Sequence, residues 1–240
     1  MRQAKADMGL QAPDRRQDRV IAIDGPAASG KSSVAREVAR RLGFIYVNSG
    51  GFYRAITWYL LRKNIPPEEN DVISAALDAA ALACTVRDSE SRILVDDMDP
   101  ANHLRDDRVN ETVSRVSRLA RVRQIVSQKL HDCADAHDVV IEGRDIGSVV
   151  FPDTPYKFYM HASPEVRLKR RAAQGERDEI AMRDHDDASR AVSPLVIAAD
   201  AYVIDTSHVR IEQVVTEILK QLKKKGLPSS DVPITNARAR

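Results

Sequence analysis

This sequence of 240 residues has few aromatic residues and no large excess of positive or negative charge. It has one tryptophan and four phenylalanines, and aromatic residues make up only 5% of the chain, too few to predict a platform on which nucleic-acid bases stack. Lysine and arginine (37) nearly balance aspartate and glutamate (35), for a formal net charge of +2. We therefore expect neither a nucleic acid nor a membrane as a partner.

Cysteines and long apolar runs are also few. Cys84 and Cys133 are far apart and fit no metal-ligand spacing, so we expect two buried, reduced thiols, as suits a reducing cytosol. The longest apolar run, around 72–86, is interrupted by Asp78 and is shorter than a membrane span. The N-terminus lacks the apolar stretch of a signal peptide. We expect a soluble, cytoplasmic monomer.

Short apolar segments alternate with helical patterns between two polar ends of the chain. This alternation predicts an α/β fold with a central, parallel, five-stranded sheet flanked by helices. The predicted strands are 19–24, 44–47, 139–141, 157–160 and 202–204. A single long helix is predicted through 113–130, and a last helix over 211–222.

The chain divides into a core and three other regions. The polar ends, 1–18 and 223–240, predict a disordered leader and tail. Residues 19–63 and 105–222 form the predicted core. Residues 64–104 break the alternation, with a helical stretch over 72–84 and two short strands around the turn DSES. We expect a helix and a β-hairpin there, inserted as a small subdomain outside the main sheet.

The strongest motif lies directly after the first predicted strand. Residues 25–32 read GPAASGKS and match G-x-x-x-x-G-K-[ST] at each fixed position. In such a P-loop, backbone N–H groups and a helix N-terminus surround the phosphates of a nucleoside triphosphate. We expect Lys31 to reach the β- and γ-phosphates of ATP and the Ser32 hydroxyl to bind Mg²⁺. The predicted nucleotide-binding residues are Gly25, Ala27, Ala28, Ser29, Gly30, Lys31, Ser32 and Ser33.

Arginines are placed as a phosphotransferase would need them. Arg54 and Arg144 follow predicted strands at their carboxyl ends, where ligands of open α/β sheets bind. Further arginines follow at 167, 170, 171, 177, 183 and 190. A kinase needs such cations because it brings two polyanions together. For Arg170, Arg171 and Arg177, a solvated helical surface is the favoured interpretation.

The sequence resembles a known family, the bacterial cytidylate kinases of the nucleoside monophosphate kinase group. The resemblance is carried by IDGPAASGKSS (23–33), NSGGFYRA (48–55), SRLARVR (117–123), EGRDIGSVVFPD (142–153), RDHDDASRAVSPL (183–195) and AADAYVIDTS (198–207). These blocks extend over nearly everything except the two ends. The resemblance implies transfer of the ATP γ-phosphoryl group to CMP or dCMP.

The resemblance also implies roles for individual residues. The implied catalytic residues are Lys31, Arg144, Arg183 and Arg190. The implied substrate-binding residues are Ser49, Tyr53, Arg54, Ser114, Arg123, Arg144, Asp145, Asp187 and Arg190. In this set Arg54 holds the acceptor phosphate, Asp145 and Arg123 contact cytosine, and Asp187 holds the ribose. A structural ion pair between Arg123 and Asp145 is the alternative. Segment 64–104 would bind the monophosphate, and 164–190 would form a lid.

The sequence departs from the family pattern at three places. Asn48 and Glu142 each stand where the family usually has an aspartate, and the arm over 171–183 is shorter than in most relatives. We assign no catalytic base, because an acceptor phosphate is already ionised near neutral pH. Two other functions stay open: a P-loop kinase with a different acceptor, and a nucleotide-binding regulatory switch.

Overall fold

A seven-stranded, mostly parallel sheet organises residues 19–173 and 195–227, the parts of the chain that a computed structural model describes. The strands are β1 (Val20–Asp24), β2 (Ile45–Asn48), β3 (Leu82–Arg87), β4 (Glu90–Val95), β5 (Val139–Gly143), β6 (Tyr156–His161) and β7 (Tyr202–Asp205). Their spatial order is β3-β4-β2-β5-β1-β6-β7. The predicted α/β class and all five predicted parallel strands are confirmed.

Seven α-helices in the described ranges flank this sheet. They are α1 (Lys31–Leu42), α2 (Ser49–Arg62), α3 (Asn70–Ala79), α4 (Asp107–Val116), α5 (Ala120–Ala136), α6 (Pro164–Ala173) and α7 (Ile211–Lys224). The prediction of one long helix through 113–130 is wrong. The chain leaves the helical conformation at Leu119 (φ −71°, ψ 126°), which separates α4 from α5. None of the described helices is long and apolar enough to cross a membrane.

The two faces of the sheet pack into separate hydrophobic clusters. Alternate residues of a strand point to opposite faces, and accordingly Ala22 and Ile141 belong to one cluster while Ile23 and Val140 belong to the other. The first cluster is closed by α2, α3 and α5, and the second by α1 and α7. Full burial of each large side chain stabilises the fold by about 1.5–3 kcal/mol. The central strands are thus held rigidly from both sides.

The hairpin of segment 64–104 extends the main sheet, which corrects its prediction as a separate unit. β3 and β4 pair antiparallel from Leu82↔Val95 to Arg87↔Glu90, and β4 joins β2 in parallel at Tyr46↔Glu90. Side chains of α3 and β4, among them Ile73 and Val95, pack in the first core cluster. The sheet therefore has seven strands instead of five.

The cysteines are paired, so the prediction of two reduced thiols is wrong. Cys84 on β3 and Cys133 on α5, which are 49 residues apart in sequence, form a disulfide. It links the hairpin to the helix packed beside it.

The C-terminal helix extends beyond the predicted boundary. α7 continues to Lys224, and Leu227 packs against the second core cluster. The predicted start of the disordered tail at residue 223 is therefore too early in the sequence. Residues 1–18, 174–194 and 228–240 lie outside the described residues, and they include 174–190 of the predicted lid.

Candidate active site

The P-loop lies between β1 and α1 and has an unusual backbone. Three residues have positive φ angles, Gly25 (147°), Ala28 (58°) and Gly30 (91°). A Cβ atom on Gly25 would lie 2.0 Å from the carbonyl oxygen of Met160, so only glycine fits where the loop leaves the sheet. The loop then curls and presents its backbone at the start of α1, the arrangement that binds phosphate.

Lys31 is folded into this loop. The residue is only 5% exposed, and its Nζ donates a hydrogen bond to the carbonyl oxygen of Pro26 (2.7 Å). Ser32 and Ser33, in the first turn of α1, are exposed. The predicted nucleotide-binding residues therefore combine a cation held inside the loop with hydroxyl groups on its outer side.

Two arginines of α6 brace the P-loop from outside. Arg167 donates to the carbonyl oxygen of Ala27 and Arg170 to that of Ala28, both at 3.4 Å. Arg170 also donates to the carbonyl oxygen of Thr206 (2.6 Å), and the Thr206 hydroxyl donates to that of Ser29 (2.8 Å). Arg170 is partly buried in these contacts, so its favoured interpretation as a solvated residue is wrong.

A cavity opens at the same sheet edge, beside the carboxyl ends of β2 and β5. Its lining residues are Asn48, Ser49, Gly50, Tyr53, Arg54, Val113, Ser114, Ser117, Arg123, Glu142, Gly143, Arg144 and Asp145. Seven predicted substrate-binding residues are among them: Ser49, Tyr53, Arg54, Ser114, Arg123, Arg144 and Asp145. The structure thus brings together residues from three separate sequence blocks, 48–55, 117–123 and 142–153, and Ser114. Arg183, Asp187 and Arg190 lie outside the described residues.

Arg123 and Asp145 form a buried ion pair within this cavity. Their side chains are 9% and 6% exposed. Arg123 also donates to the carbonyl oxygen of Ser117 (3.3 Å) and lies over the ring of Tyr53, 5.7 Å from its centre. An arginine held on several sides has a fixed orientation. The pair is thus a preformed donor and acceptor at the cavity wall.

The phosphate-binding candidates are also held in place. Arg54 Nη1 donates to Asn110 Oδ1 (2.6 Å) and to the carbonyl oxygen of Leu104 (2.8 Å). Ser49 donates its hydroxyl to the carbonyl oxygen of Glu142 (2.8 Å), which ties α2 to the end of β5. A Cβ atom on Gly143 would lie 2.7 Å from the Ser49 oxygen, so glycine is required for this close approach.

Two of the three departures from the family pattern, Asn48 and Glu142, have local structural roles. The side chain of Asn48 caps α2 by accepting the N–H of Gly51 (3.2 Å), a function that asparagine performs as well as aspartate. Glu142 is buried, and its Oε1 accepts a hydrogen bond from the Tyr46 hydroxyl (2.5 Å). Burial and the neighbouring Glu142 carboxylate raise the pKa of the Tyr46 hydroxyl, which therefore stays protonated and donating.

The comparisons with known proteins agree with this geometry. The family described as "Cytidylate kinase" matches residues 21–224. A cytidylate kinase of Lactiplantibacillus plantarum is 34% identical over 216 residues, covering 85% of this chain and 95% of the relative. That of Mycobacterium leprae is 38% identical and covers 87% and 97%, and that of Symbiobacterium thermophilum is 39% identical and covers 88% and 99%. This chain belongs to the cytidylate kinase family.

One buried acid of this cytidylate kinase family member was not predicted as a site residue. Asp24, the last residue of β1, is 5% exposed and accepts the N–H groups of Ile146 (2.9 Å) and Gly147 (2.7 Å). Burial raises its pKa from 3.8 to about 6, with a smaller contribution from the Asp145 carboxylate, while the two N–H groups and Lys31 oppose the shift. In sequence Asp24 only looks like the end of a strand, because its partners are more than 120 residues away.

The raised pKa of Asp24 predicts that the protein takes up a proton when it folds at a pH between 3.8 and about 6. The folded state holds the proton on the Asp24 carboxyl more tightly than the unfolded chain does. Asp24 therefore contributes stability that is present below about pH 4 and lost as the pH rises through about 6. The amide resonances of Ile146 and Gly147 should titrate in NMR spectra with a midpoint near 6. The Asp24→Asn variant should abolish the titration, and Asp145→Asn should lower its midpoint. A midpoint at or below about 4 would contradict the assignment.

Proposed function

We propose that this chain transfers the γ-phosphoryl group of ATP to the 5′-phosphate of CMP or dCMP and produces CDP or dCDP. The observation that carries the proposal is a second polar cavity beside the P-loop. The parallel register sets Asp24, before the P-loop, opposite Gly143, which lines the cavity. A kinase needs two such sites on one edge, whereas a switch that only binds a triphosphate has no use for the second.

The P-loop is the donor site in this proposal. Backbone N–H groups of residues 27–33 surround the ATP phosphates, and the α1 N-terminus adds a positive potential. Lys31 leaves the carbonyl oxygen of Pro26 and contacts the β- and γ-phosphates. Arg144, which lines the cavity, stabilises charge on the transferring group. Arg183 and Arg190 join these cations according to the family resemblance.

The residues present suit a Mg²⁺ ion that is bound largely through nucleotide phosphates. Among the described residues no three His, Cys, Asp or Glu side chains gather as a metal site. Mg²⁺ typically uses one or two protein oxygens and completes its shell with water and phosphate. The Ser32 hydroxyl would supply one ligand, and the Glu142 carboxylate would order a water molecule. When bound, the ion neutralises charge on the β- and γ-phosphates.

The cavity is the acceptor site. Arg54 and Arg144 hold the 5′-phosphate of CMP, with Ser49 and Tyr53 beside them. The Asp145 carboxylate accepts a hydrogen bond from the 4-amino group of cytosine. Arg123 donates a hydrogen bond to N3 or O2 of the base, and Ser114 supports this contact. Asp187 holds the ribose. Catalysis in this arrangement is positioning and charge stabilisation, because the acceptor oxygen is already anionic. The cytoplasmic location and the monomeric state stay predictions.

The first test concerns Lys31. In Lys31→Ala, ADP formation in the presence of ATP and CMP should fall by roughly two orders of magnitude or more, because a charge aimed at the transferring phosphoryl group is lost. Lys220→Ala is the control, since Lys220 is an exposed lysine on α7, and it should keep wild-type activity. A folded Lys31→Ala protein that retains more than about a tenth of wild-type kcat would refute the role of this loop.

The second test concerns the base. Cytosine offers an amino donor where uracil offers an acceptor, so the wild type should prefer CMP over UMP by roughly a hundredfold or more in kcat/KM. Asp145→Asn should lower the activity on CMP far more than on UMP, because an amide can donate to the O4 atom of uracil. The preference should then narrow to about tenfold or less.

The matched control for this test is another arginine–aspartate ion pair, which lies on the surface. Asp78 pairs with Arg121, two residues before Arg123, and both side chains are exposed. Asp78→Asn should leave the CMP-to-UMP ratio unchanged. If Asp145→Asn lowered both activities by one common factor, the buried pair would be structural only, and base selection would lie elsewhere.

A further inference from the structure

Asp24 lies between the two substrate sites without lining the acceptor cavity. It directly precedes the P-loop glycine Gly25, and it is absent from the residues that line the cavity. Its carboxylate is nevertheless almost fully buried. An ionised acid in such a position is unfavourable unless specific partners compensate for the lost hydration. Its partners therefore indicate what the acid does.

Both carboxylate oxygens are used by one segment. Oδ1 accepts the N–H of Ile146 (2.9 Å) and Oδ2 that of Gly147 (2.7 Å). These residues directly follow Arg144 and Asp145 and begin the short π-helical turn 146–150. N–H groups at the start of such a turn have no partner within it. Asp24 is thus the anchor of the segment that carries the arginine and the acid of the acceptor cavity.

Close packing transmits the position of this anchor to the cavity. Ile146 is 1% exposed, and its Cγ1 atom lies 2.5 Å from where a Cβ atom of Gly143 would be. A shift of Ile146 would therefore move against Gly143 and the β5 end. Because interiors are packed to the density of crystals, such a shift also displaces Arg144 and Asp145 between them.

We infer that Asp24 is a positioning residue for the acceptor site: its carboxylate holds Arg144 and Asp145 in the geometry that binds the nucleoside monophosphate. This inference rests on the proposed function. It also makes Asp24 a link between the sites, since the same residue is the last one before the P-loop. Only a carboxylate offers a separate oxygen to each N–H group, because an amide has an NH₂ donor in place of the second oxygen.

The test is the isosteric variant Asp24→Asn, titrated separately with CMP and with a non-hydrolysable ATP analogue by calorimetry. CMP binding should weaken by about tenfold or more, as expected for the loss of one hydrogen bond to a charged group. Binding of the ATP analogue should be unchanged or tighter, because the variant removes a negative charge close to Lys31. Simple electrostatics would likewise favour the anion CMP, so a loss of CMP binding points to geometry.

Thr154→Val is the matched control. The Thr154 hydroxyl donates to the carbonyl oxygen of Val20 (2.5 Å) at the opposite end of β1 and is fully buried. This variant should lower the stability of the fold and leave the CMP affinity unchanged. Unaltered CMP affinity in Asp24→Asn, or an equal loss of both nucleotides, would overturn the inference. A wild-type protein that does not bind CMP would instead refute the proposed function.

A measurement on the wild type covers the case in which Asp24→Asn does not fold. The amide hydrogens of Ile146 and Gly147 should exchange slowly with solvent deuterium even without nucleotides, because Asp24 already holds them. Rapid exchange at both amides in the unliganded protein would show that the anchor is not formed, and it would overturn the inference.

Discussion

The site depends on the parallel pairing of β1 with β5, in which Asp24 lies opposite Gly143. This register places the P-loop and the segment Arg144–Asp145 side by side at the carboxyl edge of the sheet. Both strands are fully buried, so neither can slide without moving its side chains out of the core. The P-loop and the polar cavity are thereby held next to each other at one edge of the sheet.

Charge is the second constraint, because two polyanions must approach each other. Neighbouring groups orient the cations at this edge: Pro26 orients Lys31, Asn110 orients Arg54, and Asp145 orients Arg123. Each contact gives a buried or half-buried cation a hydrogen-bonding partner. Removal of one partner of a buried ion pair typically lowers the stability of the fold by about 3–5 kcal/mol. The guanidinium groups of Arg54 and Arg123 are preorganised in this way, which is the basis of electrostatic catalysis, whereas Lys31 exchanges the Pro26 carbonyl oxygen for phosphate in the proposed function.

Much of this architecture follows from local sequence signals, and the exceptions have physical causes. β1 could be predicted because it is an apolar run with a P-loop after it. The hairpin's place in the sheet could not, since it depends on the contact between Tyr46 and Glu90 and β3 is largely exposed. The disulfide and the partners of Asp24 join distant residues. The break at Leu119 has no nearby glycine or proline to mark it.

The most direct test of the proposed kinase activity is ADP formation from ATP and Mg²⁺ while CMP is titrated. CMP should raise the rate by roughly a hundredfold or more, with saturation, because the second site supplies the acceptor. Formation of CDP should match that of ADP mole for mole. A slow rate that does not change with CMP, with ADP retained on the protein, would contradict the kinase activity and favour a nucleotide-binding switch.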